Sequence, residues 1–512
     1  MPSTIRKLSV IDSAFLFAET TECPMHVGST SILRLPDDYA GDFYADVRNV
    51  MISRMATAKS LTWKLSPTPF DIDRPSWIED EQFDLDRHLF RAALPEPCTR
   101  ATLMRLTGFL HARQISRTRP LWEMYVFSGL PDREVAVYMK MHHSLIDGGA
   151  GAALAEVLYD AVPTPAPVDP PAFTPPKPRS EQGVRDVGVS MMAAYAAWLR
   201  QPFGDVRAAD FSLPRSGGND LGSVLFDAAV HQIEWPIRLA QHSSDYAKAY
   251  GDAMQAALKP ESFKSLQEQY MAPPTPLNVA ISSERTFAGA TIALDRAKAL
   301  AKRSGATIND LVLALASGML RRYLKSIDAL PKQSLTAFVP ISARVAGDAD
   351  SKNAVFGMVA PLATNVEDPK ARLETIIKET SVAKELANPF KGVVSTLSDV
   401  PTFGSPMLLQ LAATFWSRTR LANVVPPGVN VVVSNVMYSK KPLYLAGARL
   451  LHAYPMSIPV HGQALNITVH GYCNNLDFGL TAAANVLPDL EPMMASLFEE
   501  FDALEAAVAA GT

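Results

Sequence analysis

The chain has 512 residues, 48% of them hydrophobic and only 20% charged, with a net charge of −4. That length allows two or three domains with large cores, and the scattered lysines and arginines exclude the basic stripe of a nucleic-acid binder. Cys23, Cys98 and Cys473 are far apart and odd in number. They fit neither a disulfide framework nor a zinc pattern, which points to a reducing, cytoplasmic setting.

The N-terminal stretch MPSTIRKLSVIDSAFLF has no long apolar core followed by a small-residue cleavage site, so it does not read as a secretion signal. No run of about 18 apolar residues occurs, which leaves peripheral contact as the only membrane association expected. In chain order, His26–Leu35 reads as a strand, Thr102–Ile115 as a helix with Leu103, Leu106, Phe109 and Leu110 at helical spacing, and Glu134–Met141 as a buried strand. Gly151–Val162 reads as the helix that follows. Pro163–Ser180, PTPAPVDPPAFTPPKPRS, is too proline-rich for a helix or a central strand and reads as an extended linker. Residues 181–272 show helical patterns with Trp198 and Trp235 among the aromatics. They read as helices packed on the domains, or as a lid or membrane-surface element.

From Pro273 the alternation returns. Ala290–Asp295, Leu335–Ser342, Gly357–Thr364 and Gly428–Val436 are strand candidates, the last a β-branched run suited to a sheet centre. Ala306–Leu324 reads as a buried helix. The expected fold class is α/β, with mixed sheets in two units: residues 1–162 and 273–512, joined by the linker and helical segment 163–272.

The stretch that carries chemistry is VYMKMHHSLIDGGAGAAL, Val137–Leu154. His142 and His143 stand where a strand gives way to a turn. Adjacent residues on a strand point to opposite faces, so one imidazole can face a cleft while the other is packed. Asp147 follows four residues later, and Gly148 and Gly149 permit a tight bend. Three readings stay open. His143 can be a general base, since a neutral imidazole takes a proton near neutral pH. His142, His143 and Asp147 can bind a metal, although the helical H-E-x-x-H geometry is absent. Both histidines can also be structural.

HHSLIDG resembles the H-H-x-x-x-D-G signature of the bacterial wax ester synthase/acyl-CoA:diacylglycerol acyltransferase family, within the chloramphenicol acetyltransferase-like, coenzyme A-dependent acyltransferases. Other segments agree in order: Leu8–Ser29 with its PMHVG, Arg119–Leu130 with its PLW, Thr275–Asn278, the Asn309-Asp310 helix, Val339–Arg344 and Leu476–Leu480. The resemblance covers most of the chain except roughly residues 163–272. After Ser434-Asn435 the sequence departs from the family's usual Val-Pro-Gly-Pro-like turn.

The resemblance implies two chloramphenicol acetyltransferase-like domains with an active-site tunnel between them, and direct acyl transfer with His143 as catalytic base. No G-x-S-x-G nucleophile elbow is present, which suits a mechanism without an acyl-enzyme. Asp147 is expected to fix the loop, with Arg344 as a candidate partner. Asn309 either stabilises a developing oxyanion or sits beside a Thr307–Asp310 capping box that explains the segment without chemistry. Gly148, Ser434 and Asn435 are tunnel candidates. Pro120, Leu121 and Trp122 read as core, His461 and His470 as structural, and Met25, Met139 and Met141 as an adaptable apolar wall.

The expected substrates are a long-chain acyl-CoA as co-substrate, with diacylglycerol or a fatty alcohol as acceptor. No resident cofactor, metal or nucleic acid is expected. The expected location is cytoplasmic, with peripheral attachment to membrane or lipid droplets left open. The rivals are another acyltransferase of the superfamily and a non-catalytic lipid-droplet scaffold.

Overall fold

Apolar strands alternating with amphipathic helices build two six-stranded mixed sheets, with strands and helices numbered here in chain order. The computed structural model describes residues 6–55, 58–66, 74–145, 158–163, 272–342, 355–387 and 406–510. Strands β1 (Arg6–Lys7), β3 (Trp63–Ser66) and β4 (Ser76–Glu79) form a small sheet at one edge. The first large sheet contains β2 (His26–Arg34), β5 (Leu89–Ala93), β6 (Trp122–Ser128), β7 (Glu134–His142), β12 (Tyr444–Leu445) and β13 (Ala448–Met456), in the order β12-β13-β2-β7-β6-β5. The second contains β8 (Arg285–Ala293), β9 (Thr336–Ser342), β10 (Val355–Pro361), β11 (Val431–Ser439), β14 (Leu465–Tyr472) and β15 (Asn475–Ala483), in the order β10-β9-β11-β14-β15-β8.

The helices are α1 (Val10–Ala18), α2 (Phe43–Met55), α3 (Arg100–His111), α4 (Leu294–Arg303), α5 (Ile308–Ser326), α6 (Pro369–Ala387), α7 (Pro406–Thr419) and α8 (Glu491–Ala510). Helix α5 is buried almost all round from Asp310 to Leu320, the pattern of a central helix. It packs with α4, α6 and α8 against one face of the second sheet, where Val431, Val433, Ile467, Val469 and Phe478 join its core. Each such side chain contributes roughly 1.5–3 kcal/mol by leaving water. Helix α3 lies against the first sheet and also touches β8, so it ties the two sheets together.

The two sheets do not follow the chain division drawn at residue 273. Strand β13 belongs to the C-terminal part, yet it pairs antiparallel with β2, Arg449 opposite Arg34 through Met456 opposite Gly28. It therefore completes the sheet that carries the two histidines. Its sequence, ARLLHAYPM, hides this, because Pro455 lacks a donor and reads against a strand inside a sheet. The helix expected over Gly151–Val162 does not run to its predicted end: Asp160 bridges Tyr444 of β12 instead. Residues 164–271, which hold nearly all of the proline-rich and helical segment, lie outside the described residues. No helix among the described residues is long and apolar enough to cross a membrane.

Candidate active site

Strand β7 is buried along its whole length, and its alternation sorts the side chains. Met139 and Met141 face a cavity, while Tyr138, Lys140 and His142 face away from it. Lys140 is fully buried, and its ammonium is held by Glu123 (3.0 Å) and by the carbonyls of Leu110 (3.1 Å) and Arg113 (2.8 Å). His143 leaves the strand as the first residue of a short 3₁₀ turn, His143–Leu145. That turn swings its ring into the cavity, so the doublet divides as strand geometry predicts. Phe15 of α1 stacks on the His143 ring, with centroids 3.8 Å apart and planes 17° from parallel.

The cavity measures about 370 Å³ and lies between the two sheets. Phe15, Met124, Met139, Met141, His143 and Leu158 line it from one side; Phe338, Pro340, Val432, Ser434, Val436, Thr468 and His470 line it from the other. The wall is mostly apolar with a few polar groups, the usual make-up of a small-molecule site.

Behind His143 lies a buried polar cluster that sequence reading missed. Glu19, at the C-terminal end of α1, accepts from the Met25 amide (3.1 Å) and from Arg117 (2.8 Å). Its Oε1 is 3.3 Å from His26 Nε2 and 3.7 Å from His142 Nε2. Burial pushes this carboxyl up, but the His26 hydrogen bond and the charges of His142, His26 and Arg117 outweigh it and bring the pKa to about 2. His142 Nδ1 accepts from the Ser144 amide (3.1 Å) and lies 2.7 Å from the Ser144 hydroxyl. The amide contact leaves the His142 proton on Nε2, towards Glu19. Burial lowers His142 to about 3, although Glu19 opposes that shift. His26 and His111 are lowered as well, mainly by burial. At neutral pH the cluster is one carboxylate among three neutral imidazoles.

This cluster reaches the catalytic candidate through the backbone. Glu19 holds the Met25 amide, and the Met25 carbonyl accepts from the His143 amide at 2.8 Å. His26 sits directly opposite His142 in the β2–β7 register. The PMH segment is thus the strap that fixes the mouth of β7. No periodicity signals this, because Glu19 meets the histidines only after the sheet forms.

The remaining expected residues divide. Ser434 lines the cavity, whereas its neighbour Asn435 is not part of the wall and lies on the other face of β11. Asn309 is partly buried in the first turn of α5 and is not among the cavity-lining residues. Its neighbours Thr307 and Asp310 form a full capping box, and Asp310 also accepts from the Thr380 hydroxyl at 2.8 Å. Asp147, Gly148 and Arg344 lie outside the described residues. Met25 stands behind the wall as a backbone anchor, and Trp122 is core, its indole N–H donating to the Leu61 carbonyl at 2.7 Å. Asn278 latches the start of β11 by donating to the carbonyls of Asn430 (3.0 Å) and Gly462 (2.8 Å). His470 forms part of the cavity wall. Among the described residues no group of three His, Cys, Asp or Glu side chains is arranged to hold a metal ion.

The wax ester synthase/diacylglycerol acyltransferase catalytic-domain profile matches residues 8–312, and the profile of the C-terminal domain matches residues 352–505. This chain belongs to that family. A probable diacylglycerol O-acyltransferase of Mycobacterium tuberculosis is 34% identical over 504 residues, covering 97% of this chain and 98% of the relative. The O-acyltransferase WSD of Acinetobacter baylyi is 31% identical over 511 residues, covering 99% and 98%. The solved wax ester synthase/diacylglycerol acyltransferase of Marinobacter aquaeolei superposes with a TM-score of 0.64 at 26% identity, covering 98% of this chain and 100% of that one. A starter condensation domain of rhizomide synthetase, solved with C8-CoA, shares the fold at a TM-score of 0.51 and 11% identity over 99% of this chain and 95% of that one. The chain is therefore an acyltransferase with the two-sheet, chloramphenicol acetyltransferase-like architecture that HHSLIDG implied.

Proposed function

We propose that this acyltransferase joins a long-chain acyl group from acyl-CoA to the free hydroxyl of diacylglycerol, giving triacylglycerol, and takes a fatty alcohol as a second acceptor, giving a wax ester. The observation that carries this is the His143 ring opening into a largely apolar cavity between the two sheets. His143 removes the proton from the acceptor hydroxyl. The oxygen attacks the thioester carbonyl, and the tetrahedral intermediate collapses with coenzyme A as leaving group. The proton carried by His143 goes to the departing sulfur. The base and the thiol need no covalent acyl-enzyme, and such general-base help is worth roughly 10²–10⁴-fold in rate. Asp147 has the supporting role of holding the loop after His143.

The acceptor is a lipid, so the enzyme works at a membrane or droplet surface on the cytoplasmic side. Leu411 and Phe415 on α7 and Val424 and Val425 beyond it are exposed apolar side chains, and Arg418 and Arg420 lie beside them in sequence. That pairing of apolar and basic groups suits peripheral attachment.

The test is coenzyme A release from palmitoyl-CoA with dioleoylglycerol or hexadecanol, comparing native protein with His143→Ala. Loss of at least 10²-fold with both acceptors is expected. Equal rates in the two proteins remove His143 from the chemistry, and no product with any alcohol removes the activity.

A further inference from the structure

The cavity leads away from His143 along β2, and its far part is polar. Val27, Ser29 and Ser31 face it in turn, and Ser31 lies roughly 20 Å from the level of His143 at about 3.3 Å per residue. There the Tyr159 hydroxyl donates to Ser31 Oγ at 3.1 Å, and Tyr438 lines the same wall. His470 stacks on Tyr438, centroids 4.9 Å apart. Its Nδ1–H donates to the Ala453 carbonyl at 3.1 Å, and Ala453 is the β13 partner of Ser31. These contacts gather His470, Tyr438, Tyr159 and Ser31 at one level of the cavity.

Two polar atoms at this end have no protein partner among the described residues. With its proton on Nδ1, His470 presents a bare Nε2, which can only accept. Burial lowers its pKa to about 4, so this acceptor persists at neutral pH. Ser29 Oγ, two residues before Ser31 on the same face of β2, is buried and unpaired. A bare acceptor on the half-buried His470 ring and a buried hydroxyl left unmatched are costly in a cavity meant only for methylenes. Together they match a group that both donates and accepts.

We infer that the His470–Ser29 end of the cavity is a hydroxyl-recognition subsite, which takes a hydrocarbon chain carrying a hydroxyl partway along its length. This rests on the reading of the cavity as the acyl-transfer site. The chain hydroxyl donates to His470 Nε2 and accepts from Ser29, with the Tyr159–Ser31 hydrogen bond and the Tyr438–His470 stack holding the surrounding wall. The hydroxyl can arrive on the acyl group or on the alcohol.

The experiment compares kcat/KM for stearoyl-CoA with its 3-, 12- and 18-hydroxy forms, and, in a second arm, hexadecanol with a mid-chain hexadecanediol. In a cavity without a partner, every hydroxyl position is penalised against the plain chain. The expected result is that the mid-chain hydroxyl escapes this penalty in one arm, which also tells acyl from alcohol as its source. In His470→Phe and Ser29→Ala the mid-chain to plain ratio falls about tenfold, the size of one hydrogen bond, and His470→Gln restores part of it. The ratio cancels any general loss of activity. A uniform penalty at all positions, or a ratio untouched by both substitutions, overturns the subsite. If native protein esterifies nothing, the transfer reading fails on its own. Calorimetric binding of mid-chain hydroxylated against plain stearoyl-CoA then decides the subsite: tighter binding supports it and weaker binding overturns it.

Discussion

Phe15 lies flat against His143, 3.8 Å from centroid to centroid, so the face of the ring is set by helix α1 before any substrate arrives. A stacked aromatic pair contributes about 0.5–1.5 kcal/mol beyond its buried area, and a catalytic group displaced by about 1 Å can lose 10²-fold in rate. Phe15→Ala should lower kcat by roughly 10–10²-fold in steady-state acyl transfer. Phe15→Tyr should keep most of it. An unchanged kcat in Phe15→Ala would show that the imidazole needs no such support.

Glu19 links Arg117, Met25, His26 and His142. Glu19→Gln keeps the shape but removes the charge that faces Arg117 and the His142 proton. Removing one partner from a buried polar network costs about 1–3 kcal/mol. Glu19→Gln should therefore lower the melting temperature and reduce kcat by about tenfold or more, with KM for acyl-CoA little changed, because the loss acts through the Met25 strap. A rise in KM alone would contradict a positioning role.

Gly479 lies in the LDFGL segment on β15, and a Cβ there would collide with the Pro455 carbonyl of β13. Here the two sheets meet backbone to backbone, and neither backbone can yield as a side-chain tip would. Gly479→Ala should destabilise the protein by about 1–3 kcal/mol or more, as overpacking does, and widen the cavity between the sheets. Denaturant unfolding measures the first effect. A stability matching native protein would mean that the sheets slide freely.

Part of the site was legible in local sequence pattern and part was not. The period of two placed His142 and His143 on different faces, and the structure agrees through the 3₁₀ turn that starts at His143. Applied to Ser434 and Asn435, the identical rule separates them, and only Ser434 faces the cavity. The Thr307–Asp310 capping box was readable because its partners are three residues apart. Glu19, Phe15 and His470 were not, since their partners come from other elements and no local pattern encodes them. Strand β13 escaped because Pro455 breaks the strand signature, although the sheet tolerates it.

The buried imidazoles give the fold a distinct acid limit. His142 and His470 have folded-state pKa values of about 3 and 4, and His26 and His111 are also lowered, all chiefly by burial. Unfolded, each takes a proton below about 6.5. Between those values the unfolded chain binds more protons, so stability falls as pH falls, by at most about 1.4 kcal/mol per pH unit for each histidine. Above about 6.5 these groups contribute no slope. Glu19, lowered from 4.5 to about 2, adds a further loss only below 4.5. Its charged form is the one the fold favours, and that contribution disappears as pH drops through the folded value. The melting temperature should hold between pH 8 and about 6.5, then fall steadily from there, well before ordinary carboxylates titrate. His142→Gln should make the fall shallower by one histidine's share while lowering the starting value. A melting temperature constant down to pH 4.5 would mean that these rings are already solvated in the folded protein, and the sealed polar cluster behind His143 would have to be abandoned.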